Sequence, residues 1–148
     1  MKNVSEVLTT IRQIIKLYEL CLEDTRTKYG LTGMEIRIIS FLHNNPGKDT
    51  VVDIANMRVL SKGNVSRGAD SLIQKELLER IHDKVDRRCV HLHLLPAANA
   101  IIEDIENASR RFEEQIMNGF TEEETELFAD LNERFLQNIK EGLERGKK

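Results

Sequence analysis

Within the stretch HDKVDRRCVHLHL, residues 82–94, three histidines and a cysteine fall inside twelve positions. His82, Cys89, His91 and His93 each offer zinc a nitrogen or sulfur ligand. Zinc, however, needs ligands converging at about 2.0–2.3 Å, generally four of them in a structural site. Alternate side chains on a strand stand about 7 Å apart, so three in a straight row do not readily surround one ion. The expectation is therefore no metal and no other cofactor, with Cys89, His91 and His93 as outward, solvent- or phosphate-facing positions of a strand. A second chemistry lies between them. Lys84, Arg87 and Arg88 are cations on a short projecting turn, with Asp86 two residues from Arg88 and able to orient its guanidinium. Cations presented in this way enter a minor groove or bind backbone phosphates.

The elements that must position this turn follow from apolar spacing. Val4, Val7, Leu8, Ile11, Ile14, Ile15, Tyr18 and Leu22 recur at three- and four-residue steps, which predicts a long helix over 4–28 stopped by Gly30. Thr32 and Glu35 form a capping box that opens a second helix, ending before Asn45-Pro46-Gly47. A short helix follows from about Thr50, and then a turn over Met57–Leu60. Ser61 is a good N-cap for a fourth helix over 61–76. Two short runs, 78–82 and 89–94, flank the charged turn; in the second, Val90, Leu92 and Leu94 share one face, as a hairpin with one buried face requires. Pro96 suits the first position of a further helix, reaching about Gly119 with Ala98, Ile101, Ile105, Ala108, Phe112 and Ile116 as its stripe. A second capping box, Thr121 with Glu124, opens the last helix, with Leu127, Phe128, Leu131, Phe135 and Ile139 aligned.

Short helix, tight turn, longer helix and hairpin is the order of a winged helix-turn-helix. At 100° per residue the fourth helix turns Val65, Ala69 and Leu72 inward, and Gly63, Asn64, Arg67, Ser71 and Gln74 outward, with Ser66 at the flank. The outward set is small or hydrogen-bonding, which suits a major groove, where Arg reads guanine and Asn or Gln reads adenine. Ser61 and Lys62 add free amides and a cation for a phosphate at the helix start. An ordinary solvated face would carry a similar pattern, and it is the adjoining hairpin that makes this one a candidate reader.

Composition narrows the classes. The apolar runs are too short for a transmembrane span, the N-terminus has no apolar signal-peptide core, and two cysteines are too few for a secreted disulfide framework. A cytoplasmic protein with no membrane partner is expected. No Gly-rich phosphate loop, nucleophile elbow or HExxH occurs, so the chain does not read as an enzyme. Residues 48–95 carry nine Lys or Arg against seven Asp or Glu, whereas residues 96–148 carry seven against thirteen. A mildly basic middle beside an acidic tail places positive potential locally against a polyanion.

The run from LTGMEIRIISFL through VDIANMRVLSKGNVSRGADSLIQKELLER to DRRCVHLHL resembles the MarR family of bacterial winged helix-turn-helix transcription regulators. The resemblance implies a mainly α fold with a small β-hairpin wing, the winged core over residues 31–95. Flanking it, residues 1–30 and 96–148 would be helical dimerisation regions. It implies an obligate homodimer on a pseudo-palindromic operator in double-stranded DNA, acting as a repressor that a small-molecule effector or oxidant releases. The DNA-binding residues it points to are Ser61, Lys62, Asn64, Ser66, Arg67, Ser71, Gln74, Lys84, Asp86, Arg87 and Arg88. Some relatives sense peroxide through a cysteine in the first helix, where Cys21 lies; others bind aromatic acids, for which Tyr18, Arg12 and His43 are suitable groups. The chain departs from the family at two places. Glu76 stands where a glycine usually precedes the leucine entering the wing, so it must adopt a left-handed conformation or end the helix differently. Leu94-Leu95-Pro96-Ala97-Ala98 replaces the family's LT-x-x-G, with Pro96 as the substitute start signal. The competing expectation is a winged-helix module that mediates protein assembly without sequence-specific DNA binding.

Overall fold

The computed structural model describes residues 3–58 and 60–147. These form α1 (Val4–Tyr29), α2 (Gly33–Asn44), α3 (Val51–Arg58), α4 (Lys62–Gln74), β1 (Leu78–His82), β2 (Val90–Leu94), α5 (Asn99–Ile116) and α6 (Glu122–Gly146). They fall into two compact units that divide between Phe112 and Glu113.

In the first unit the local signals act as the sequence predicts. Asn3 caps α1, and Gly30 ends it at φ 62°, a left-handed conformation that glycine takes at little cost. The Thr32–Glu35 box opens α2, with both reciprocal hydrogen bonds present. Thr50 and Asp53 make the same kind of exchange at the start of α3. The predicted turn over Met57–Leu60 is partly replaced by helix, since α3 runs on through Arg58; Val59 lies outside the described residues. Ile36, Ile38, Ile39 and Phe41 of α2, Ile54 of α3, Val65, Ala69 and Leu72 of α4, Leu78 and Leu92 of the hairpin, and Ile101 of α5 are all buried in one core. Each large side chain fully buried there contributes about 1.5–3 kcal/mol.

Two element starts beside the wing also differ from expectation. Strand β2 begins at Val90 because Cys89 closes the turn instead: its amide donates to Asp86 O and its carbonyl accepts from the Asp83 amide, both at 2.9 Å. Pro96 opens a single 3-10 turn over Pro96–Ala98, and α5 starts only at Asn99. The ring fixes φ for a helical start, and Leu95, at the N-cap, has no side-chain acceptor for the first amides.

In α1 only the C-terminal half joins the core, through Leu22 and Thr25; Val4, Leu8, Ile11, Ile14 and Ile15 remain exposed. The second unit holds α6, opened by the Thr121–Glu124 box, with Glu122, Glu123 and Glu124 favourably placed against the helix dipole. No residue of α6 is buried, and its stripe of Leu127, Phe128, Leu131, Phe135 and Ile139 is exposed at 42–57%.

Candidate nucleic-acid interface

Helix α4 starts where Ser61 Oγ accepts the Asn64 amide at 3.1 Å, which leaves the amides of Lys62 and Gly63 for an outside acceptor. Lys62, Gly63, Asn64, Arg67 and Gln74 are exposed and Ser66 is half-buried, as the helical projection requires. The Arg67 guanidinium donates to the Asn64 side-chain oxygen, so these two side chains are joined in the free protein. Ser71 departs from the projection. It is half-buried, and its hydroxyl donates to Glu35 Oε2 at 3.3 Å, so it belongs to an internal network more than to the outward face.

That network fixes the orientation of α4. Glu35, 1% exposed, also accepts from Lys75 Nζ at 2.9 and 2.8 Å, and Lys75 donates in turn to Gly30 O at 2.8 Å. One ammonium thus joins the end of α1, the start of α2 and the end of α4. Burial pushes the Glu35 carboxyl up, but the Lys75 hydrogen bond and the Thr32 amide together outweigh it and hold the carboxyl below its ordinary range. Gly68, in mid-helix, lets α4 approach α2 closely: a Cβ there would lie 2.7 Å from Ile38 Cδ1 and 2.8 Å from Met34 Cγ. A glycine inside a helical pattern was the available sequence signal for this approach. The helix ends with Glu76 at φ 59°. The Glu76 amide bonds Ile73 O and the Leu77 amide bonds Leu72 O, both at 3.0 Å, a Schellman pattern made without glycine.

The wing leaves α4 directly and is tied back to it by the Arg80–Asp70 ion pair. At its tip Asp83 Oδ1 accepts the amides of Val85 (2.8 Å) and Asp86 (3.1 Å). Asp86 accepts both the Arg88 amide and the Arg88 Nε, at 3.1 and 3.3 Å, so the expected orienting pair is present. The Arg88 side chain is otherwise 94% exposed, and Lys84 and Arg87 are exposed beside it.

The expectation for His91 is corrected. It is not a free outward side chain: Nδ1 meets Asp49 Oδ1 at 2.6 Å, and Nε2 meets Asp83 Oδ2 at 2.9 Å. The hydrogen bond to Asp49, then that to Asp83, raise its pKa, and the His91 hydrogen bond with the two turn amides draws Asp83 down to about 2. The Leu92 amide donates to Asp49 O at 2.7 Å, adding a third backbone segment to the hairpin's base. His82 instead turns Nδ1 to Arg87 O at 3.1 Å, and His93 is exposed. Spacing along the chain could not reveal Asp49, which lies 42 residues before His91.

Away from the wing, a cleft of about 1190 Å³ opens among α1, α2 and α5, lined by Ile15, Tyr18, Arg26, His43, Arg58 and Ile102 among others. Of the suggested ligand groups, Tyr18 and His43 line it and Arg12 does not. Tyr18 is held by Ser109 Oγ at 3.0 Å and by the edge of Phe112, with ring centroids 5.2 Å apart. Cys21 is a half-buried free thiol packed against the core.

Residues 29–88 match a family model described as MarR family. The uncharacterized HTH-type transcriptional regulator YsmB of Bacillus subtilis (strain 168) is 23% identical over 128 residues, 86% of this chain and 87% of that protein. A MarR-family transcriptional regulator from Silicibacter pomeroyi has the same fold, with a TM-score of 0.75 at 23% identity over 88% of this chain and 87% of its own. BpsR of Bordetella bronchiseptica, described as regulated in its DNA binding by 6-hydroxynicotinic acid, superposes with a TM-score of 0.69 at 20% identity, covering 88% and 98%.

Proposed function

We propose, from the premise that the winged-helix segment of this chain belongs to the MarR family of transcriptional regulators, that the protein represses transcription as a homodimer on a pseudo-palindromic operator. The observation that carries the reading is the pairing of two exposed readers on one braced support. Lys62, Asn64, Arg67 and Gln74 lie on α4, and Lys84, Arg87 and Arg88 lie on the wing, whose strand β1 is tied to α4 through Arg80 and Asp70. In this reading α4 enters the major groove, Ser61 and Lys62 bind phosphate at its start, Ser66 flanks it, and Arg88, oriented by Asp86, enters the adjacent minor groove.

The dimer would be formed by residues 1–30 and 96–148. The exposed apolar stripes of α1 and of α6 support this, because a second copy would remove both from water. Two copies would then present two α4 helices to half-sites about one helical turn apart. A small organic anion is the effector class that best suits the cleft, whose wall combines Ile15 and Ile102 with Arg26 and Arg58. BpsR, regulated by 6-hydroxynicotinic acid, is a relative in fold with a ligand of that class. An oxidant acting on Cys21 is the rival signal; loss of operator binding in peroxide, prevented by Cys21→Ser, would favour it over the cleft.

The test is footprinting of the DNA flanking the protein's own gene, followed by binding across a salt series. A protected palindrome with steep salt dependence is expected, with the slope falling by about one for each phosphate-binding cation removed. Arg67→Ala should relax base preference, and Arg88→Ala should cost about 1–3 kcal/mol. Weak, salt-insensitive association with every DNA tried would instead favour the protein-assembly module.

A further inference from the structure

We infer that the turn of the wing closes on a divalent-metal site, formed by Asp83, Cys89 and His91 and suited to zinc. Their ligand atoms all lie within 4.8 Å of one another: His91 Nε2 is 2.9 Å from Asp83 Oδ2 and 4.0 Å from Cys89 Sγ. A tetrahedral zinc with bonds of about 2.0–2.3 Å holds its ligands about 3.3–3.8 Å apart, so the cluster needs adjustments of about 1 Å in a surface turn. The straight row of Cys89, His91 and His93 is not what converges. The hairpin turn folds Asp83 back opposite Cys89, an aspartate takes the place of a histidine, and His82 and His93 take no part.

The surroundings of the three ligands match such a site. Asp49 Oδ1, at 2.6 Å from His91 Nδ1, would keep a proton on Nδ1, so that loss of the Nε2 proton leaves that nitrogen for a metal, the carboxylate–histidine support common behind zinc ligands. Asp83 is oriented as well, since its Oδ1 takes the Val85 and Asp86 amides and leaves Oδ2 toward the cluster. One sulfur, one imidazole nitrogen and one carboxylate oxygen select zinc or a related transition metal over calcium or magnesium. Three protein ligands leave a fourth position for water, the pattern of an exchangeable site. Burial, followed by the charges of Asp83, Asp86, Asp49 and Asp53, pushes the Cys89 thiol up. The same acidic surroundings favour a dication, whose own charge reverses the effect and yields the thiolate. On binding, the protons of the Cys89 thiol and of His91 Nε2 leave to solvent, and no redox change is involved.

The consequence rests on the operator reading. A metal on Asp83, Cys89 and His91 would pin both ends of the turn that carries Lys84, Arg87 and Arg88, coupling metal supply to the wing's grip on DNA.

The experiment uses the reduced, chelator-stripped full chain titrated with cobalt(II), then zinc(II), with no DNA present. One cobalt per chain is expected, with a thiolate-to-cobalt charge-transfer band that zinc abolishes. Cys89→Ser should remove the band and weaken binding at least about tenfold, Asp83→Asn should weaken it about tenfold, and Cys21→Ser should leave both unchanged. Circular dichroism of each variant establishes that it is folded, and Asp83→Asn decides the matter should Cys89→Ser unfold. Absence of a band, or a band that survives Cys89→Ser, would overturn the site. Because no DNA enters these titrations, a failed operator experiment leaves their outcome intact. Equal operator affinity with and without bound zinc would overturn only the coupling to the wing.

Discussion

The winged segment and the terminal helices handle apolar surface in opposite ways. In residues 31–95 the inward faces of α2, α3, α4 and the hairpin close over one another, leaving polar groups on the outward face of α4 and on the hairpin turn. In the first half of α1 and along all of α6, equally regular apolar stripes stay exposed. The two regions have the same kind of sequence pattern, so amphipathicity alone does not say whether a face is already covered. The winged segment has several short elements that can cover one another, whereas a long straight helix has more stripe than its own unit can bury. The first region is therefore the one whose stability is internal, and the second the one whose stability we expect to depend on a second copy.

The sharpest way to break this contrast is to charge α6. Phe128→Glu together with Leu131→Glu should give a monomer by light scattering and lower operator affinity by about 100-fold or more, since the second half-site loses its linkage to the first. An unchanged dimer would place the interface elsewhere. Within the winged core the largest effect should come from Lys75→Met, which leaves the Glu35 carboxylate buried without its cation. A loss of about 3 kcal/mol in urea unfolding is expected, while the dimer should survive at protein concentrations where the core remains folded. The same carboxylate gives a pH test. Its folded pKa is depressed below 4.5, so its contribution is full above that value and is lost as pH falls through the folded pKa. Glu35→Gln should lower stability at pH 7 and flatten the acid side of the stability profile. The smallest effect is expected at Glu76, held at φ 59°. Glu76→Gly should raise stability by about 0.5–1 kcal/mol with no change in assembly; a loss would mean that its side chain contributes something the backbone strain conceals.

Much of this architecture was legible from residue types, for reasons that can be named. Capping boxes, left-handed glycine stops and two-residue alternation act over a few neighbouring positions, so Thr32–Glu35, Gly30, Thr121–Glu124 and the Val90–Leu94 strand follow from residue types alone. The outward set on α4 was largely legible for the same reason, because a helix projects its side chains by a fixed angle. Ser71 escaped that projection because its partner, Glu35, comes from another helix. Glu35 itself was readable as a capping residue but not as the partner of Lys75, since the ion pair joins positions 40 residues apart. Likewise the Asp86–Arg88 pair is local and was anticipated, whereas Asp49, which braces His91 from before α3, was not.

By itself, then, the sequence determined the order of elements, their ends, and which faces are apolar or polar, because those depend on short-range backbone geometry and periodicity. Only the tertiary structure decided which polar residues meet: Lys75 with Glu35, Arg80 with Asp70, and His91 with Asp49 and Asp83. Such contacts depend on how distant segments pack, and packing is a property of the whole core. The histidine–cysteine run illustrates the difference. Read as a line it cannot enclose an ion; folded into a hairpin, two of its members meet an aspartate from the turn.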